Sequence, residues 1–223
     1  IDRKDIKNLH IGVYPPNGRV RAATPLHMDD EAVRLAVVSR LSWIKKQQKS
    51  FEYQDRQSKR EMVSGESHFF KGKRYRLDVI ETSGKQEVRL RNGNKMQIKI
   101  KPGSDRNKRL SLLQKWYRQE LRKVINELRE KWEKEMEVKI SELGIKIMKT
   151  KWGSCNIEDR RIWLNLELVK KPVSCIEYIL VHEMIHFFER HHTERFRQLM
   201  DYYLPDWRDR KSTRLNSSHY RTS

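Results

Sequence analysis

The first part of the chain alternates apolar and polar positions in short runs, which is typical of half-buried β-strands. Such runs lie at 9–13 and 19–22 on either side of a Pro-Pro-Asn-Gly turn signal, and they predict a hairpin. Asp29 or Asp30 then begins a helix with apolar residues at 33, 37, 41 and 44, and the polar stretch 45–59 predicts its end and a loop. Four alternating runs at 67–70, 75–80, 87–90 and 97–100 predict a small meander.

Helical spacing replaces this alternation after residue 104. Apolar residues recur every three or four positions between Leu112 and Trp132, so we expect one long helix over 108–135 with a buried face. Two short strands at 145–149 and 162–165 precede a helix over 173–189, and Thr193 caps a last helix over 194–202. The order predicts an α+β fold, with a β-rich region over 1–104 and a second domain over 105–208.

The last 15 residues, 209–223, differ in character from the rest. They resemble the translation of a sequencing-library adapter, so we predict that they are a non-native tail. The tail holds four basic residues against one acidic residue, and the remaining chain still carries a charge of +16.

Composition narrows the class of protein. The net charge of +19 favours anionic partners, so nucleic acid is a candidate partner through a basic surface, although no dense Lys/Arg tract forms a binding arm. Two cysteines outside a C-x-x-C pair argue against a disulfide framework and favour a cytoplasmic setting. No apolar run approaches the roughly 20 residues of a membrane span, so no membrane partner is expected.

The strongest chemical signal is the sequence His182-Glu183-Met184-Ile185-His186. Four residues of helix turn about 400°, so both imidazoles project from one face and can bind one Zn²⁺ ion. Glu183 lies about 100° round the helix, where it is placed to accept a proton from water activated by the metal. The pattern indicates a zinc-dependent hydrolase with His182 and His186 as ligands and Glu183 as general base.

A third ligand has to come from outside the straight helix. The chain breaks at His191-His192, and a turn there would return one imidazole to the metal. The spacing alone leaves both histidines open, and Glu189 is a weaker alternative.

Several blocks of the chain resemble the YgjP-like metal-dependent hydrolases, which are zincin-type metallopeptidases related to the SprT and WLM proteases. The resemblance rests on Lys151–Cys155, Ile162–Asn165, Tyr178–His186, His192–Phe196 and Leu204–Trp207. It extends to the N-terminal part through Pro16–Val20, Trp43-Ile44 and Gly72–Tyr75.

The resemblance implies a zincin-like fold for the second domain and His192 as the third ligand, although His191 stands where the family commonly has asparagine. It also implies that the strand at 162–165 lies at a sheet edge beside the site, where a peptide or protein substrate would bind by strand addition. Trp152, Ser154 and Asn165 are candidate pocket residues; the alternative is a tight turn around a packed indole.

Two other functions stay open on the sequence. Strong positive charge is compatible with a metal-dependent nucleoside-triphosphate pyrophosphohydrolase, although no glycine-rich phosphate loop occurs. A nucleic-acid-binding module with structural zinc is the third hypothesis, but structural zinc sites usually have four protein ligands. Cys155 lacks an evident activating partner, so we expect a packed thiol rather than a nucleophile.

Overall fold

The computed structural model of the chain describes residues 1–14, 18–52 and 60–216. The strands are β1 Asp2–Lys4, β2 His10–Tyr14, β3 Arg19–Pro25, β4 Ser67–Phe70, β5 Lys73–Glu81, β6 Glu87–Arg91, β7 Lys95–Ile100, β8 Glu142–Lys146, β9 Gly153–Asn156 and β10 Arg161–Asn165. The α-helices are α1 Asp30–Ser39, α2 Leu41–Glu52, α3 Arg106–Glu135, α4 Val173–Ile185, α5 Glu194–Tyr203 and α6 Trp207–Asn216, with a short 3-10 helix at Leu166–Lys170. This mixture confirms the predicted α+β class.

The described residues form two compact units, one within 1–58 and one within 59–218. The predicted domain boundary at 104/105 and the separate tail at 209–223 stay predictions. No helix in the described ranges is both long enough and apolar enough to cross a membrane.

The first unit contains the predicted hairpin, in which β2 and β3 pair antiparallel. Strand β1 also pairs with β3, in parallel, and the sequence pattern did not indicate it. The Asp29 side chain accepts a hydrogen bond from the Ala32 N–H at 2.6 Å and begins α1. The predicted single helix is divided at Arg40, and α2 extends to Glu52 where a helix end was expected. Residues 53–59 of the predicted loop and the turn residues 15–17 lie outside the described ranges.

A four-stranded sheet opens the second unit, in the order β4-β5-β7-β6. The predicted meander is wrong, because β7 lies between β5 and β6 and runs parallel to β5. Burial explains this order: Met96, Ile98 and Ile100 of β7 are fully buried, so β7 is central and β6 lies at the edge.

Helix α3 covers one face of this sheet and confirms the predicted long helix. The Asp105 side chain caps it by accepting the Lys108 N–H at 2.8 Å. The buried stripe includes Leu113, Leu121 and Ile125, and it also includes Tyr117, whose hydroxyl donates to the Phe69 carbonyl at 2.8 Å.

A second sheet has three strands in the order β8-β10-β9. Its strands precede α4 in the chain, and β9 and β10 contact this helix. Strand β10 is central: it is parallel to β8 and antiparallel to β9. The edge position expected for the strand at 162–165 is therefore wrong, and β9 takes an edge of the sheet instead. Ile162 and Leu164 are fully buried, which suits a strand paired on both sides.

Helices α4 and α5 follow the predicted order, with a difference in the length of α4, whereas helix α6 was not predicted. Helix α4 ends at Ile185 rather than at 189, and His186 is its C-cap. Thr193 caps α5 as expected. Helix α6 runs from Trp207 into the predicted tail, where the Arg210 guanidinium donates to Glu177 at 2.5 Å and to Asp206 at 2.7 Å.

Candidate metal centre

Helix α4 carries the first two candidate ligands in and just after its last turn. Pro172 occupies the N-cap position, where a missing N–H removes no helical hydrogen bond. Most side chains of α4 are buried, because the helix packs against α3, α5, β9 and β10. His182 and His186 are half-buried, so a rigid, central helix holds both imidazoles at a boundary with solvent.

The turn after α4 returns a third imidazole to this pair. Because the helix ends at His186, the chain reverses and brings His192 Nε2 to 3.0 Å from His182 Nε2. One ligand nitrogen from each of His182, His186 and His192 lies within 4.8 Å of the others. The three ring centroids are 4.9–5.1 Å apart, so the imidazoles form a nearly equilateral triangle.

This donor set suits a zinc ion. Two nitrogens bound to tetrahedral zinc at 2.0–2.1 Å are about 3.3 Å apart, close to the observed 3.0 Å. Three imidazoles with no thiolate or carboxylate among them are typical of a catalytic site with an open fourth position.

One backbone carbonyl orients His186. The Nδ1 atom of His186 lies 3.1 Å from the Glu189 carbonyl oxygen, which can only accept a hydrogen bond. Nδ1 therefore carries the hydrogen, and Nε2 keeps its lone pair for a metal. Burial lowers the pKa of His186, and this further favours the neutral ring that a metal requires.

Phe196 of α5 contacts all three imidazoles. Its ring centroid is 5.0 Å from that of His182, 4.9 Å from that of His186 and 4.7 Å from that of His192. The side chain is buried, and Thr193 fixes the start of its helix by accepting the Phe196 N–H at 3.4 Å. The ring therefore supports the triangle; its signal in the sequence was the block His192–Phe196, which resembles the YgjP-like family.

Glu183 is buried beside the edge strand β9. Burial raises the pKa of its carboxyl group to about 7, and the positive charge of Lys151 partly opposes the shift. A Cβ atom at Gly153 would lie 2.6 Å from Glu183 Oε1. The carboxyl group thus packs directly on the backbone of Gly153, and any larger residue there would displace it.

His191 and Glu189, the other candidates for third ligand, are placed differently. His191 is exposed, as His192 is, and its backbone N–H donates to Glu189 Oε1 at 3.2 Å. Neither residue belongs to the group of side chains that converge within ligand distance in the described residues.

The side chain of Asn165 makes hydrogen bonds to the loop between β8 and β9. Its Nδ2 donates to the carbonyls of Met148 and Lys151, at 2.9 Å and 2.8 Å. Its Oδ1 accepts the Glu167 N–H at 3.2 Å, which begins the 3-10 helix. These bonds favour the tight-turn alternative for Asn165.

Trp152 and Ser154 flank Gly153 and are both half-buried. The Lys171 ammonium lies 5.4 Å from the centre of the Trp152 ring, and Ser154 pairs with Trp163 across β9 and β10. Their role in a pocket stays a prediction. Burial and the nearby Glu183 charge raise the pKa of the Cys155 thiol to about 12, so this residue stays a neutral thiol.

An apolar helix with a His-Glu-x-x-His sequence and a third converging histidine defines a metal-dependent hydrolase of the peptidase type. A family model of the YgjP-like metallopeptidase domain matches residues 7–218. The chain therefore belongs to the YgjP-like family. A comparison with curated proteins finds no match.

Proposed function

We propose that this chain is a zinc-dependent metallopeptidase, with His182, His186 and His192 as zinc ligands and Glu183 as general base. The convergence of the three imidazoles within 4.8 Å carries the proposal. When bound, zinc would polarise the scissile carbonyl and lower the pKa of water. The family of the chain supports a peptide or protein as substrate.

Glu183 performs the proton transfers in this proposal. The carboxylate takes a proton from the attacking water and then gives it to the leaving amine, so that it is unchanged after one turnover. Its burial excludes competing water, and its packing on Gly153 limits the directions in which it can turn. His186 holds its ligand nitrogen deprotonated through the bond to Glu189.

The substitution Glu183→Gln tests this role, because it keeps the shape of the side chain and removes the base. We expect zinc content and thermal unfolding to match the wild type, while hydrolysis of an unstructured protein falls by about 100-fold or more. The matched control is Glu194→Gln, which makes the same change at an exposed position in α5. Full activity in Glu183→Gln would contradict the proposal.

The same purified enzyme should be tested on nucleoside triphosphates. No turnover above the control is expected, because the only support for that function is positive charge. Turnover of triphosphates that depends on Glu183, without turnover of protein, would replace the peptidase proposal with the pyrophosphohydrolase hypothesis.

A further inference from the structure

The four-stranded sheet has one face that the mechanism does not use. Its inner face contributes Leu77, Met96 and Ile98 to the core beneath α3. Side chains alternate along each strand, so the intervening residues form an opposite, exposed face. The exposed basic residues there are Arg74, Arg76, Arg89, Arg91 and Lys95, and we name these five the basic face; Lys99, on the same side of β7, is half-buried and pairs with Glu87.

Three of these cations form a row across three strands. The register pairs Arg76 of β5 with Lys95 of β7, and Lys95 with Arg91 of β6. Neighbouring strands are about 4.8 Å apart, so the row brings three positive charges within about 10 Å along the sheet. Arg74 and Arg89 lie two residues from this row on β5 and β6.

Few acids neutralise the row. Glu87 pairs with Arg89 at 2.9 Å and with Lys99 at 3.5 Å, and Asp78 accepts a hydrogen bond from Gln97 at 3.3 Å. Within the described residues, Arg76, Arg91 and Lys95 make no ion pair with a carboxylate. Like charges opposite each other destabilise a sheet. A bound polyanion would offset that cost.

We propose that the basic face binds the phosphate backbone of nucleic acid. Four of its five cations are arginines, whose planar guanidinium groups donate two parallel hydrogen bonds to a phosphate. Phe69, opposite Arg74 in the register, adds an aromatic ring of the kind on which bases stack. The net charge of +19 would speed the encounter with any polyanion.

A membrane surface is the competing polyanion. Peripheral binding to lipid needs apolar side chains that enter the bilayer beside the cations. On this face, within the described residues, the apolar side chains are Phe69, which is half-buried, and Ile80, which lies opposite Lys99 and away from the row. The face is therefore better suited to phosphates in solution than to insertion into lipid.

The test measures binding of the full chain to fluorescein-labelled single-stranded and duplex DNA and RNA of about 20 nucleotides, over a range of salt concentration. The test variant is Arg76→Gln/Arg91→Gln/Lys95→Gln. The matched control is Lys108→Gln/Lys115→Gln/Arg122→Gln, which removes three exposed cations from α3 and leaves the same net charge.

We expect the wild type to bind and the test variant to bind at least about tenfold more weakly, with a shallower dependence of log Kd on log salt by about two units. The control variant should stay within about twofold of the wild type. The test variant should also keep or raise its melting temperature, because the repulsion within the row is removed.

Equal weakening of both variants would overturn the proposal, because net charge rather than the basic face would then explain binding. Absence of binding in the wild type would also overturn it. Binding to vesicles that contain phosphatidylserine, without binding to any oligonucleotide, would assign the face to a membrane instead.

Discussion

Gly153 determines, at the scale of single residues, where the proposed base can lie. An added Cβ would meet Glu183 Oε1 at 2.6 Å, so Gly153→Ala has to move the carboxyl group. A displacement of about 1 Å can cost about 100-fold in rate. We predict that kcat falls by that factor in Gly153→Ala while KM and zinc content stay unchanged, which steady-state kinetics and metal analysis would measure.

Gly84→Ala is the matched control for this change. A Cβ at Gly84 would meet only Thr82 Oγ1, at 3.4 Å, so its kinetics should equal those of the wild type. Loss of zinc in Gly153→Ala would instead indicate that the β9 backbone supports the zinc ligands. That result would contradict the prediction that Gly153 acts by positioning Glu183.

The two adjacent histidines provide a second prediction at this scale. Both histidines are exposed, but only His192 brings a ligand nitrogen within 4.8 Å of those of His182 and His186. Removal of a direct ligand should weaken zinc binding by more than the 10–100-fold that outer-shell changes cost. We expect His192→Ala to lose zinc on dialysis and His191→Ala to retain it; the reverse result in metal analysis would assign the third ligand to His191.

At the scale of elements, Asn165 joins the loop between β8 and β9 to the end of β10. Asn165→Ala would leave the Met148 and Lys151 carbonyls without these donors. We predict a loss of about 2–4 kcal/mol in the free energy of unfolding, measured by chemical denaturation. Asn92→Ala, at an exposed position in the turn between β6 and β7, is the control and should change stability by less than about 0.5 kcal/mol. A fully stable Asn165→Ala would show that the loop does not depend on these bonds.

At the scale of the whole molecule, His68 links stability to pH. It lies on the buried face of β4, and burial together with the charge of Arg60 lowers its pKa to about 4, while Glu66, 3.4 Å away, partly opposes the shift. The unfolded chain, with a histidine pKa near 6.5, therefore takes up a proton first as pH falls. Stability from this group is complete above about pH 6.5 and decreases as pH falls towards 4.

We predict that this effect removes at most about 2.5 kcal/mol of unfolding free energy at pH 4.5. His68→Gln should flatten the dependence on pH between 6.5 and 4, measured by denaturation at each pH. His191→Gln replaces an exposed histidine of the same unit and should leave the slope unchanged. An unchanged slope in His68→Gln would contradict the assignment.

Local pattern predicted much of this protein correctly. The helices capped by Asp29 and Thr193 begin where their cap residues indicate, and the long helix α3 lies within two residues of its predicted start. His182, Glu183 and His186 follow from the period of one helix. These features depend on contacts between neighbours in the chain, which residue spacing records directly.

The order of the strands and the convergence of the site residues depend on contacts between distant parts of the chain, so only the tertiary structure decided them. The order β4-β5-β7-β6 and the central place of β10 reflect which strand buries more apolar surface, and strand alternation alone does not show this. The end of α4 at His186 turns the chain so that His192, rather than His191, meets the other two imidazoles. Three further features each join separate elements: Phe196 against the three imidazoles, Gly153 against Glu183, and the row of Arg76, Lys95 and Arg91. Only packing and strand register could bring these residues together.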